Sequence, residues 1–162
     1  MMLKSRFHFF SFITIFLLTI CLFGLYIFCE SIYQGKPITF GAWFFFLLTI
    51  YILLWIGYGE LRTKAISTTF IDNTVYIRRF YGLGPSTYLD IADFDGYSTS
   101  ILLSRGGRYE YLYLKRGEKK VIKLSEFYHR NYSDLKEYIT KRIAYLGDEE
   151  FSFRTELKEI FI

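Results

Sequence analysis

Two long apolar runs near the N-terminal end restrict this chain more than any other feature of its sequence. The first covers residues 7–29 and the second residues 37–59, and neither contains Asp, Glu, Lys or Arg. As an α-helix, each run would extend about 34 Å, which is enough to cross a hydrocarbon core of about 30 Å with some tilt. Neither run has a polar face, and a soluble chain of 162 residues could not bury both. We therefore expect residues 1–60 to form a transmembrane helical hairpin.

A cleaved signal peptide is the main alternative interpretation of the first run. The run is longer than the 7–15 apolar residues of a signal peptide, and no small-x-small cleavage site follows it. The segment "LTIC" (18–21) resembles a lipoprotein signal, but Ile20 stands where such signals need a small residue. Cys21 and Cys29 have neither a disulfide nor a metal-binding spacing, and we interpret them as small apolar side chains.

The orientation of the hairpin follows from the basic residues at its ends. Only residues 30–36 join the two runs, so both chain ends are expected on one side of the membrane. Two basic residues precede the first run and two follow the second, whereas the connecting loop has one, Lys36. Because basic residues flanking transmembrane helices favour the cytoplasmic side, we expect both termini in the cytoplasm.

The period of the apolar pattern changes to two after Gly59, as is typical of β-strands. In "TVYIRRFYG" (74–82), Val75 and Ile77 alternate with Tyr76 and Arg78. Turn signals separate short segments at near-regular spacing, which predicts six or seven antiparallel strands in a small barrel or sandwich. The predicted strands lie within residues 63–71, 74–82, 86–99, 101–104, 109–115 and 120–125.

A helical period follows the strands. Asn131 is a candidate N-cap with Asp134 three residues later, and Gly147 is a candidate terminating glycine. One apolar stripe predicts a helix that covers the sheet, giving an α+β fold. The stripe consists of Leu135, Tyr138, Ile139, Ile143 and Leu146. Residues 147–162 are expected to form a C-terminal tail with a short helix.

Residues 61–146 resemble a bacterial pleckstrin-homology-like (PH-like) domain. The resemblance rests on "FIDNTVYIRRFYG", "YLDIADFDGY", "YLYLKRGEKKVIKLSEFY" and "NYSDLKEYITKRI". It implies a PH-like antiparallel barrel of about seven strands, in two orthogonal sheets, capped by a C-terminal helix. Many such domains follow one or two spans in small bacterial membrane proteins, which implies a multi-pass protein of the bacterial inner (plasma) membrane.

No pattern in the sequence indicates an enzyme, a cofactor or a metal site. His129 is the only histidine after the apolar runs, and we interpret it as a solvated residue ahead of the helix. Asp90, Asp93 and Asp95 have a spacing that fits no calcium loop, and "GLGPST" (82–87) lacks the lysine of a phosphate-binding loop. The net charge of +4 is too small to predict nucleic-acid binding.

Three basic residues are candidates for contact with an anionic ligand or lipid. PH domains that hold phosphoinositides use basic residues around their first two strands, and the resemblance implies this role for Lys64, Arg78 and Arg79. Adjacent residues on a strand point to opposite faces. Arg78 and Arg79 can therefore share a pocket only if the strand ends between them.

The sequence favours a non-catalytic, membrane-anchored PH-like interaction module on the cytoplasmic face, which binds a protein partner or itself as a homo-oligomer. One alternative is a sensor of an anionic lipid headgroup or small ligand that acts through the Arg78/Arg79 region. Another is an immunity protein to a secreted toxin, a role that small two-span proteins can fill.

Overall fold

Two long apolar helices and a mixed α+β domain make up the chain in a computed structural model, which describes residues 2–104 and 107–152. The helices are α1 (Ile13–Tyr33) and α2 (Phe40–Leu54). A 3₁₀ turn, Phe9–Phe12, leads into α1, and a π-helical turn, Trp55–Leu61, extends α2.

The two helical segments are long and apolar enough to cross a membrane. They span 25 and 22 residues, with mean hydropathies of 2.6 and 2.1. Only 6% of each segment is buried, so neither is a core helix of the folded domain. The predicted pair of apolar helices is confirmed, and the two helical segments extend past their apolar runs, to Tyr33 and to Leu61.

The first sheet has four antiparallel strands in chain order, β1-β2-β3-β4. Its first strand comes from the segment ahead of α1 and pairs with β2, so that Leu3 lies opposite Phe70. Asp72 adopts a positive φ of 49° in the tight turn between β2 and β3, which lies in the gap between the predicted strands 63–71 and 74–82. The strands are β1 (Met2–Lys4), β2 (Ser67–Ile71), β3 (Thr74–Arg78) and β4 (Ser86–Asp90).

The second sheet has the order β7-β6-β5-β8. Its first three strands form an antiparallel meander, and β8 pairs parallel to β5 at the edge. Gly117, with a φ of 60°, makes the tight turn between β6 and β7. The strands are β5 (Gly96–Ser104), β6 (Gly107–Arg116), β7 (Lys119–Ser125) and β8 (Tyr145–Glu149).

The hydrophobic core lies between the two sheets and the third helix, α3 (Tyr132–Thr140). Each element contributes the alternate or helical-stripe residues that its pattern predicts. The fully buried members are Phe70, Val75, Leu112, Leu114, Ile122, Leu124, Leu135 and Ile139.

The prediction that the last helix continues to residue 146 is wrong. The carbonyl of Ile139 accepts hydrogen bonds from the amides of Arg142 and Ile143, which ends α3. The chain then joins the second sheet, where Leu146 packs so closely on Gly96 that a Cβ there would lie 2.3 Å from Leu146 Cγ. Ile143 and Leu146 continue the helical spacing of α3, which is why the sequence pattern hid the strand.

The closed barrel of about seven strands is also not formed. The described residues contain eight strands in two separate sheets, with α3 after the seventh strand and β8 after α3. Residues 91–95 separate β4 from β5 through a 3₁₀ turn, and no ladder joins these strands. The predicted tail begins as β8, and residues 153–162 lie outside the described residues.

Candidate functional site

The segment ahead of α1 is part of the folded domain. Beyond the β1–β2 ladder, the amide of Ser5 donates to the carbonyl of Thr68 at 2.8 Å. The amide of His8 donates to the carbonyl of Tyr128, also at 2.8 Å. The beginning of α1 is therefore fixed to the same body that follows α2.

Asn131 holds this segment in place instead of capping α3. Its Oδ1 accepts from the Arg6 amide at 2.7 Å, and its Nδ2 donates to the Lys4 carbonyl at 3.0 Å. No side-chain hydrogen bond caps the helix at this residue. The predicted capping box with Asp134 is wrong because the amide group of Asn131 bonds across the chain.

His129 is buried, and its prediction as a solvated residue is wrong. The side chain is 1% exposed, with Nε2 at 2.8 Å from the Ile66 carbonyl and Nδ1 at 3.2 Å from the Ser125 amide nitrogen. Nδ1 also lies 3.1 Å from the Ser125 carbonyl, so its role as donor or acceptor depends on the tautomer. Burial lowers the pKa of His129, and its backbone hydrogen bonds offset this only in part.

A polar cluster joins the ends of the two apolar helices. The hydroxyl of Tyr128 donates to Glu60 Oε2 at 3.0 Å and lies 3.3 Å from the hydroxyl of Thr14. Lys64 Nζ pairs with Glu60 Oε1 at 2.6 Å. Burial raises the pKa of Tyr128, with a further contribution from the charge of Glu60. Lys64, which the sequence predicted to contact an anionic ligand or lipid, is thus part of this cluster through its ion pair with Glu60.

The two predicted arginines separate because β3 ends at Arg78. Arg78 is exposed and donates from Nε to the hydroxyl of Ser86 at 2.7 Å. Arg79 is exposed as well, and its pKa is lowered first by partial desolvation and second by the charge of Arg62. The contact of Lys64, Arg78 and Arg79 with an anionic ligand or lipid stays a prediction. The charge of Arg62, the residue after the π-helical turn, acts on Arg79, which the strand pattern could not reveal.

The outer face of the first sheet carries a set of solvent-facing side chains. Residues directly opposite each other share a face, and Tyr76 lies opposite Tyr88. The alternate residues of these strands point into the core. We name as the tyrosine face the exposed residues Met2, Ile71, Tyr76, Arg78 and Tyr88.

One edge of this sheet is open. Among the described residues, β4 pairs with β3 alone, and four of its five residues are exposed. Tyr88, in the middle of β4, is 74% exposed. A strand with unpaired backbone groups can receive a further strand from another chain.

Asp90 and Asp93 serve a local turn, whereas Asp95 bonds to the turn between β6 and β7. Asp90 Oδ1 accepts from the Ala92 amide at 2.9 Å, and Asp93 Oδ2 accepts from the Asp90 amide at 3.2 Å. Asp95 accepts from the amide of Gly117. Within residues 2–104 and 107–152, no group of three or more His, Cys, Asp or Glu is arranged to hold a metal ion.

Comparisons with protein-family models, with curated proteins and with solved structures give no match to this chain. The resemblance to a PH-like domain therefore stays a prediction.

Proposed function

We propose that this chain is a non-catalytic, membrane-anchored interaction module with a PH-like domain on the cytoplasmic face of a bacterial inner membrane. It binds a protein partner through the tyrosine face and the open edge of β4. The observation that carries the proposal is the exposed tyrosine face beside the open edge of β4, on a domain joined to two apolar helices.

The anchoring is supported by the way that both helices join the domain. β1 precedes α1 and pairs with β2, while Glu60 at the end of α2 accepts the hydroxyl of Tyr128. Two helices that cross a bilayer from these positions would enter and leave on the domain's side. The domain then stays at the membrane surface, where a membrane-bound partner meets it at raised effective concentration.

The tyrosine face has the composition of a protein-binding surface. Tyr, Met and Arg are enriched at such surfaces, and Tyr and Arg at their energetic centres. The same outer face of the sheet carries two basic residues, Lys4 and Arg78, and one acidic residue, Asp90. This excess of positive charge favours acidic side chains in the partner. We therefore assign the occupant as an extended partner segment with apolar and acidic residues, added to β4 as a further strand.

Site-specific photo-crosslinking in membranes of the native host tests this proposal. A benzoylphenylalanine at Tyr88 is expected to give one discrete protein adduct, because its ring would lie under the added strand. The matched control carries the same group at Tyr145, which is 52% exposed on the other sheet. The adduct at position 88 should be lost when Tyr76→Ser is added.

Equal adducts at both positions, or none at position 88, would overturn the proposed surface. An adduct with twice the mass of the chain would identify the partner as a second copy.

A further inference from the structure

A cavity of about 380 Å³ lies between α3, β6 and the end of β7. Its lining includes Glu110 of β6, Glu126, which directly follows β7, and Tyr132, the first residue of α3. The described residues that line it belong neither to the tyrosine face nor to the polar cluster around Glu60. The cavity is therefore a separate feature of the domain.

Tyr132 is nearly fully buried, yet its hydroxyl has no hydrogen-bond partner among the described residues. The residue is 5% exposed, its hydroxyl is closed to solvent, and its ring belongs to the hydrophobic core. A buried hydroxyl without a partner is uncommon and costly. Burial first, and the charge of Glu110 second, raise the pKa of Tyr132, so the hydroxyl stays neutral. It can therefore accept or donate a hydrogen bond.

Two carboxylates in the same cavity share one positive charge. Glu110 and Glu126 lie side by side, because the Glu110 amide donates to Glu126 Oε2 at 3.1 Å and the Glu126 amide donates to the Glu110 carbonyl at 3.0 Å. Lys136 Nζ contacts both carboxylate oxygens of Glu110, at 2.7 and 2.9 Å. Across residues 2–104 and 107–152, Glu126 takes part in no ion pair. The cavity thus has an excess of negative charge.

A guanidinium group meets both requirements of this cavity, a positive charge for Glu126 and a hydrogen bond for the Tyr132 hydroxyl. A metal ion does not suit it, since the part of the chain that the structure describes has no group of three or more His, Cys, Asp or Glu arranged for one. A guanidinium has N–H donors that point in several directions of one plane, and it is more weakly hydrated than an ammonium. It can therefore bridge two carboxylates and still reach a buried hydroxyl.

We propose that this cavity binds an alkyl guanidinium group, which bridges Glu110 and Glu126 and donates to the hydroxyl of Tyr132. The group belongs either to a free small molecule or to an arginine side chain of another protein. The proposal does not depend on the partner of the tyrosine face.

Lys136 is the side chain that has to move when the ligand enters. It follows Tyr132 by four residues on α3, so the two side chains are neighbours on the helix surface. Its side chain is 37% exposed and ends at Glu110. Exchange of this partly exposed ion pair for a guanidinium costs little, because the ammonium group returns to water. The ligand then takes the place of Lys136 on Glu110 and gains access to the hydroxyl.

Isothermal titration calorimetry of the full chain in a non-ionic detergent tests the binding. The probe is butylguanidinium, and the matched control is tetramethylammonium, which has the same charge but no N–H donor. We expect saturable binding of the first and none of the second. Equal binding of both, or no binding of butylguanidinium up to about 10 mM, would overturn the proposal.

Two pairs of variants locate the binding in this cavity. Glu126→Gln should weaken it by about tenfold or more, whereas Glu137→Gln should change it by less than about twofold, because Glu137 lines the same cavity but pairs with Lys141 at 2.6 Å. Lys136→Met should tighten binding by removing the competing cation, whereas Lys141→Met should not. Equal effects within either pair would indicate general attraction between charges and overturn the site.

Tyr132→Phe tests the hydroxyl separately from the charge. It should weaken binding by about two- to tenfold, which corresponds to one hydrogen bond. Without ligand, it should leave the urea midpoint of unfolding unchanged or raise it, because it removes a buried hydroxyl that has no partner. A lower midpoint would show that the hydroxyl is already bonded, and would overturn its role in the site.

A short acetylated peptide amide with one arginine between two glycines distinguishes the two sources of the guanidinium. Binding about tenfold tighter than that of butylguanidinium would support the proposal with a protein's arginine as the ligand. Equal binding of the two would support it with a free guanidinium compound as the ligand.

Discussion

The two sheets of the domain differ in how many of their faces are buried. In β3 of the first sheet, Val75 and Ile77 are buried while Tyr76 and Arg78 are exposed. In β6 of the second sheet, four consecutive residues, 111–114, are buried, so both faces are covered. The second sheet is therefore buried on both faces at its centre. The first sheet shares its core but has its other face exposed.

The covered outer side of the second sheet is polar rather than apolar. The hydroxyls of Ser100 and Tyr113 lie 2.9 Å apart, and both side chains are buried. Lys123 is 5% exposed, with its Nζ 4.9 Å from the centre of the Tyr111 ring. Buried polar groups need such partners. Substitutions there should therefore cost more than substitutions on the tyrosine face.

The largest contrast is expected between Leu112→Ala and Tyr88→Ala. Leu112 is fully buried in β6, and its truncation should lower the free energy of unfolding by about 2–5 kcal/mol through lost contacts and a cavity. Tyr88→Ala should change this free energy by less than about 0.5 kcal/mol because the ring is exposed. Urea unfolding of the full chain in detergent, followed by near-ultraviolet circular dichroism, measures both. A similar cost for the two would contradict the one-sided first sheet.

Tyr113→Phe should lower the free energy of unfolding by about 1–3 kcal/mol, because it leaves the buried Ser100 hydroxyl without its tyrosine partner. Adding Ser100→Ala should cost less in this background than in the wild-type chain, since the shared bond is already lost. Tyr76→Phe on the tyrosine face is the control and should have little effect. Fully additive losses would show that these two hydroxyls do not interact in solution.

Acid should weaken the junction between the sheets through His129. Burial lowers the pKa of His129 in the folded state below the 6.5 of the unfolded chain. The unfolded state then binds the proton first, so stability is complete above about pH 6.5 and falls by at most about 1.4 kcal/mol per pH unit as pH decreases towards the lowered pKa. His129→Gln should flatten this part of a stability–pH curve; an unchanged slope would assign the pH dependence to other groups.

Asn131→Ala should give the most local loss. It removes two hydrogen bonds to the segment ahead of α1, each contributing about 0.5–1.5 kcal/mol. Hydrogen exchange should accelerate at the amides of Leu3 to Arg6 and stay slow in β6. Faster exchange throughout both sheets would mean that Asn131 supports the whole domain.

Local patterns were enough to predict the two apolar helices, the turn at Asp72 and the alternation of β3. The same alternation placed Tyr76 and Arg78 on one face, as the structure confirms. The start of the last helix near Asn131 was also predictable, although the role of Asn131 was not. Each of these features depends on residues only a few positions apart.

The missed features depend on contacts between distant parts of the chain. β1 has three residues, too few for a period, and its partner strand begins more than sixty residues later. Burial of His129 depends on the Ile66 carbonyl, and the environment of Arg79 depends on Arg62. No local pattern contains such information. The shared face of Tyr76 and Arg78 could therefore be predicted from the sequence, whereas the effect of Arg62 on Arg79 could not.

The position of β1 ahead of α1 sets an order for biosynthesis. Residues 2–4 leave the ribosome early, yet β2, the strand that they pair with, is translated only after both apolar helices. For β1 to pair with β2, residues 2–4 have to be on the same side of a membrane as the rest of the domain. If only one of the two apolar helices crossed a bilayer, residues 2–4 and β2 would lie on opposite sides of it, so this sheet can be completed only when both helices cross or neither does.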